Sequence, residues 1–170
     1  MMDKTSKIRF AAFAVIFGLL CIFAASYVYE FHFTENQLPR AEDVGEIYID
    51  GSDFTGISKL FTEASMGIVK IIISAVYCAI IFVASALIIL IFRLISIRKA
   101  SEITEKEYSL SKIYIWLCTA LAYFISLCIT SFSHIFYAFF MFFPIPLFAF
   151  LIYILPLRSR RVTANDKTEQ

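Results

Sequence analysis

The residues of this chain with most chemistry to offer are two histidines, His32 and His134, and four cysteines, Cys21, Cys78, Cys118 and Cys128. A zinc centre needs three or four ligands converging on one point, so two histidines make half a site. Both fall on the same side of the topology derived below, and the fold can therefore bring them together. The cysteines all lie inside long apolar stretches, and no CxxC pair is present to exchange disulfides. Cysteine in such surroundings is more often a small packing residue than a redox centre. "DGSD" (Asp50 to Asp53) has the acidity of a calcium loop, without the glycine and distal glutamate spacing of an EF-hand. No nucleophile–base pair or pair of carboxylates stands close in sequence. The expectation is therefore no catalytic, cofactor-binding or metal-ligating residue and no cofactor, and a protein that is more readily a non-enzyme than an enzyme.

The elements that must position these residues are set by lipid. Of the 170 residues, 60% are hydrophobic and 17% charged, with a mean hydropathy of +0.78; soluble domains carry about 25% charged residues. Apolar runs of about 20 residues cross a hydrocarbon core about 30 Å thick. Four runs qualify: residues 10–29, 66–97, 113–130 and 135–157. The last two are separated only by the polar "TSFSH" (Thr130 to His134), which reads as the turn of a tight helical hairpin. The fold class expected is an all-α membrane protein, a four-transmembrane-helix bundle forming one membrane domain over residues 1–170. A signal peptide cleaved near "AAS" (Ala24 to Ser26) is the competing reading of the first run and leaves three spans.

Orientation follows from Lys and Arg near the spans. Lys4, Lys7 and Arg9 precede the first run, Arg93, Arg98, Lys99, Lys106 and Lys112 flank the loop at residues 98–112, and Arg158, Arg160, Arg161 and Lys167 mark the tail at residues 158–170. The loop at residues 30–65 is acidic, with eight Asp and Glu against Arg40 and Lys59. Both termini are thus expected in the cytoplasm and the acidic loop outside, in a plasma or inner membrane. Within that loop "EIYID" (Glu46 to Asp50) alternates like a strand, and Asp50-Gly51 is a hairpin turn signal. Thr104 with Glu107 fits a capping box opening a helix that runs into the third span. The net charge of +1 gives no reason to expect a nucleic-acid partner.

Inside the spans no ionisable group sits at mid-membrane, where proton and ion carriers place them; Lys70 and Arg93 lie near opposite ends of the second span. Small residues at four-residue spacing mark candidate helix-packing faces: Ala14 and Gly18 in the first span, Ala75 and Ala79 in the second, and Cys118, Ala122, Ser126 and Thr130 in the third. The fourth span carries Pro144 and Pro146 near its middle, so a kink is expected near Phe140 to Phe143, with the two prolines as hinge candidates. Taken together these features favour an integral membrane interaction or accessory protein. Its partners would be the lipid bilayer and another membrane protein or a second copy of itself, bound through the spans and the acidic outer loop. The alternatives are a small transporter or channel component hinged at the prolines, and a tetra-span lipid-modifying enzyme whose polar groups come from distant loops.

Overall fold

The computed structural model describes residues 4–50, 52–99, 105–130 and 134–155. Four helical stretches in it are long and apolar enough to cross a membrane. Helix α1 covers Lys4–Gln37, α2 Thr55–Lys99 and α3 Glu105–Thr130. The fourth stretch is composite: α4 (Ile135–Phe142), α5 (Pro144–Phe148) and a π-helical turn at Ala149–Ile154. At 1.5 Å per residue, α2 is roughly 67 Å long, α1 about 51 Å and α3 about 39 Å.

The helices pack on one another through stripes at three- and four-residue spacing, as one face of an α-helix requires. The stripe of α1 is Phe13, Phe17, Leu20, Ala24, Val28 and Phe31; that of α2 is Ile81, Ser85, Ile89 and Phe92. The fourth stretch contributes Ala138, Met141, Ile145, Ala149 and Tyr153 to the same core. Ring stacking closes the core at both ends. Phe13 lies on Tyr153 with centroids 4.4 Å apart, and Phe31 on Tyr137 at 3.7 Å. The α1–α3 interface is the most extensive, and the Tyr114 hydroxyl donates across it to the Ala14 carbonyl at 3.0 Å.

Between α1 and α2 the chain makes a 3-10 turn at Ala41–Asp43 and a two-stranded antiparallel hairpin, β1 (Tyr48–Ile49) with β2 (Ser52–Asp53). Tyr48 pairs with Asp53 and Ile49 with Ser52. Asp50, in the turn, has φ = 52°, the left-handed region that a two-residue hairpin loop demands and that Asp tolerates better than most residues. The hairpin is tied to the start of α2: the Ile47 N–H donates to Thr55 Oγ1, and the Thr55 N–H donates to Asp53 Oδ1. The Thr55 hydrogen bonds hold the Asp53 carboxyl below its ordinary value.

Two boundaries differ from those read in the sequence. The 30–65 stretch is not all loop, because α1 runs on to Gln37 and α2 begins at Thr55, leaving residues 38–54 between them. Hydropathy marks where lipid is tolerated, and a helix does not stop where the oil does. In the fourth stretch the helix is divided at Phe143. Pro144 and Pro146 have no N–H for the carbonyls of Phe140 and Phe142, while the Phe143 N–H still donates to Phe139 and its carbonyl accepts from Leu147. Phe143 itself keeps helical angles (φ −55°, ψ −41°), and the register is widened afterwards by the π turn, which the sequence reading did not foresee. Thr104, the tail from Arg158 and most of the "TSFSH" turn lie outside the described residues.

Candidate functional site

Polar side chains gather at the two ends of the helical assembly. At the end bearing the N-terminus, Arg9 of α1 meets Glu107 of α3 side-on: Nε donates to Oε1 and Nη2 to Oε2. The carboxylate is fully buried and Arg9 nearly so. Bidentate geometry of this kind fixes orientation as well as charge. Glu107 is thus turned towards α1 in an ion pair that links the two parallel helices; the capping box read for it with Thr104 lies outside the described residues.

At the opposite end the two histidines come together, with His32 Nδ1 and His134 Nε2 2.9 Å apart. The partners around them define one consistent set of tautomers. Asn36 Nδ2 donates to His32 Nε2 at 3.3 Å, so neutral His32 carries its proton on Nδ1 and donates it to His134 Nε2. The proton of His134 is then on Nδ1, which faces Glu35 Oε2 at 3.4 Å. Glu35 Oε1 in turn accepts from Lys70 Nζ of α2 at 2.8 Å. Asn36, His32 and His134 thus form one hydrogen-bonded row and Glu35–Lys70 an ion pair beside it; together they join α1, α2 and the start of α4, and border an open polar cleft of about 630 Å³ whose walls also include Arg40, Glu42 and Glu63. The histidines are engaged with each other as donor and acceptor, and among the described residues no group of three or more His, Cys, Asp or Glu side chains is placed to hold a metal ion. Lys70, placed by the sequence near one end of the second span, is half of an ion pair there.

The small-residue positions fall into three groups. Ala14 and Gly18 are half-buried on the α1–α3 seam, where a Cβ on Gly18 would sit 3.5 Å from the Tyr114 hydroxyl. Cys118 and Ala122 are half-buried and Ser126 and Thr130 buried on α3. The hydroxyls of Ser126 and Thr130 donate to carbonyls one turn back in their own helix, Ala122 and Ser126. Those two hydroxyls are therefore bonded within α3, and the polar contact of the stripe with another helix is the Cys118 thiol against Cys21 of α1. Ala75 and Ala79 face away from the core, whose α2 stripe is Ile81, Ser85, Ile89 and Phe92. On a helix that is apolar all round, small residues by themselves do not say which face turns inward. Pro144 and Pro146 are buried, directed at the other helices and not outward. Beside Pro146 lies an apolar groove of about 440 Å³ between α3 and the fourth stretch, lined by Trp116, Tyr123 and Phe143 among others.

An uncovered apolar feature is the outward face of α2. Ile57, Phe61, Ala64, Ile68, Ile71 and Ala75 recur at alternating steps of four and three and are all exposed. Phe61 is 74% exposed and the adjacent Leu60 69%. The stretch of α2 from Thr55 to Lys70 is roughly 22 Å long. Sequence reading placed Ile57 to Ala64 in a loop and so missed this face. The signal that could have found it is the step from Ile57 through Ile71, which continues the period of the span backwards into the acidic segment. Comparisons with protein families, with curated proteins and with solved structures find no match for this chain.

Proposed function

We propose that this chain is an integral membrane interaction protein: a four-helix bundle that lays the outward face of α2 against another membrane protein. The observation that carries the reading is the continuation of that apolar face past Lys70. Arg9 to His32, Lys70 to Arg93, and Glu107 to Thr130 are each about 23 residues apart, roughly 34 Å of helix, which matches a hydrocarbon layer about 30 Å thick with its interfaces. With the layer placed between these polar markers, Ile57, Leu60 and Phe61 stand in water about 14 to 20 Å beyond Lys70 along the helix. Lipid does not cover them there, and a protein does. The distribution of Lys and Arg favours cytoplasmic termini and an outer hairpin, and in that orientation the partner meets this chain on the extracytoplasmic side as well as within the bilayer. The acidic segment at residues 38–54, carried on the hairpin next to the same helix, supplies the polar rim of such a contact.

The test is purification of the tagged chain in mild detergent at native expression, with and without Leu60→Ser plus Phe61→Ser. A stoichiometric assembly that the paired substitution dissolves supports the reading, and an assembly indifferent to it contradicts it. The second reading, a transporter or channel component, draws on the buried prolines and the π turn behind them. Flux in liposomes that survives Pro144→Ala plus Pro146→Ala would remove the hinge from that reading.

A further inference from the structure

We infer that the partner of the α2 face is a second copy of this chain, in a symmetric pair with α2 packed parallel to α2. The inference rests on the interaction reading above and names its occupant. A protein that covers this face must offer an apolar surface of the same height, continuous from the bilayer into the water above it. This chain itself supplies such a surface. Two copies inserted in one membrane share one orientation, so a two-fold axis along the membrane normal sets α2 parallel to α2 with each residue near its own equivalent. The steps of four and three from Ile57 through Phe61, Ala64, Ile68 and Ile71 to Ala75 are those of a seam between two parallel helices.

Charge settles whether identical faces tolerate one another. A symmetric contact brings every charge on the face against a like charge, which is unfavourable. The residues flanking the seam are Ser58, Leu60, Ser65, Gly67, Ile72 and Ser74, and none is charged. The charges of this segment point elsewhere: Glu63 lines the polar cleft, Lys70 is bound to Glu35, and Lys59 lies on the far side of the seam's heptad. Ala64 and Ala75 let the backbones approach, and beside the seam nothing lies within 4 Å of where a Cβ on Gly67 would be. The outward direction of Ala75 and Ala79, unexplained by contacts within one copy, follows from this arrangement.

The experiment is cross-linking of full-length variants that each add one cysteine, in native membranes with a water-soluble bis-maleimide, alongside the native mass in mild detergent. The reagent reaches positions outside the bilayer, and the parent chain with its four native cysteines, of which Cys128 is exposed, sets the background from which each added cysteine is read. Ile57→Cys, Phe61→Cys and Ala64→Cys are expected to yield a species of twice the 19.5 kDa chain mass, and Lys59→Cys and Glu63→Cys to yield little of it. Equal cross-linking at seam and off-seam positions overturns the inference. A chain found as one copy bound to a different membrane protein, protected at the same seam positions, overturns the self-pairing but leaves the interaction reading standing. A bare monomer with fast labelling at every position overturns both. Exposed single-cysteine changes leave the core intact, so the off-seam variants report folding and the seam variants report contact.

Discussion

Replacing Glu107 by Gln removes the carboxylate that holds the Arg9 guanidinium through two hydrogen bonds, while leaving volume nearly unchanged. The carboxylate is fully buried and the guanidinium about nine-tenths buried, so the guanidinium left behind has little access to water. Breaking a buried pair from one side costs about 3–5 kcal/mol. Arg9 lies at the end of its span and can partly snorkel, which favours the lower figure, about 3 kcal/mol, or roughly a hundredfold in the folding equilibrium. Removing both charges together, as Arg9→Met with Glu107→Leu, leaves neither member of this pair without the other and is expected to recover most of that loss. Arg9→Lys keeps the charge but not the two-pronged contact and falls between. The assay is reversible unfolding of the four variants in mixed micelles, read as a double-mutant cycle. Single variants within about 0.5 kcal/mol of the parent chain, or a double variant as unstable as the two losses summed, would refute the claim that this pair is buried and coupled.

Three further outcomes follow from the loop end. His134→Ala breaks the link from α1 through the histidines to the start of α4 and should lower stability by about 1 kcal/mol, with faster amide exchange confined to that end; loss of protection at the Arg9 end instead would contradict it. The Asp53 carboxyl, held below its ordinary value by Thr55, stabilises the hairpin above the unfolded aspartate range. That contribution is lost as pH falls through the lowered value, so the Ile47 and Thr55 amides should lose protection in acid, and Asp53→Asn should flatten the response. Asp50→Val forces a β-branched residue into φ = 52° and should loosen the hairpin by roughly 1–2 kcal/mol, whereas Asp50→Gly should not, as hairpin chemical shifts would report.

What was legible in the sequence is what one chemical rule decides alone. The four spans follow from runs that only lipid can solvate, and the Asp50-Gly51 hairpin from a turn whose backbone few residues adopt. The interruption at Phe143 follows from two missing N–H groups. The sequence put His32 and His134 on one side of the topology, and their direct contact at 2.9 Å came only with the structure. The Arg9–Glu107 pair was not legible, because a charge at the edge of an apolar run looks the same whether it enters water or meets a partner on another helix. Nor was the inward face of α2, whose sequence is apolar on every side from Ile71 to Phe92. The backward extension of α2 to Thr55 was hidden for a related reason: Lys59 and Glu63 mark the segment as watery, and only the period of Ile57, Phe61, Ala64 and Ile68 marks it as helix.

The central claim is that the α2 face beyond Lys70 is covered by protein. The most direct measurement is the rate at which a membrane-impermeant maleimide labels Phe61→Cys compared with Lys59→Cys in intact native membranes. Both positions are open in a single copy. The account predicts that position 61 reacts much more slowly than position 59 and that detergent strong enough to separate the chains brings the two rates together. Equal rates in the intact membrane would contradict it.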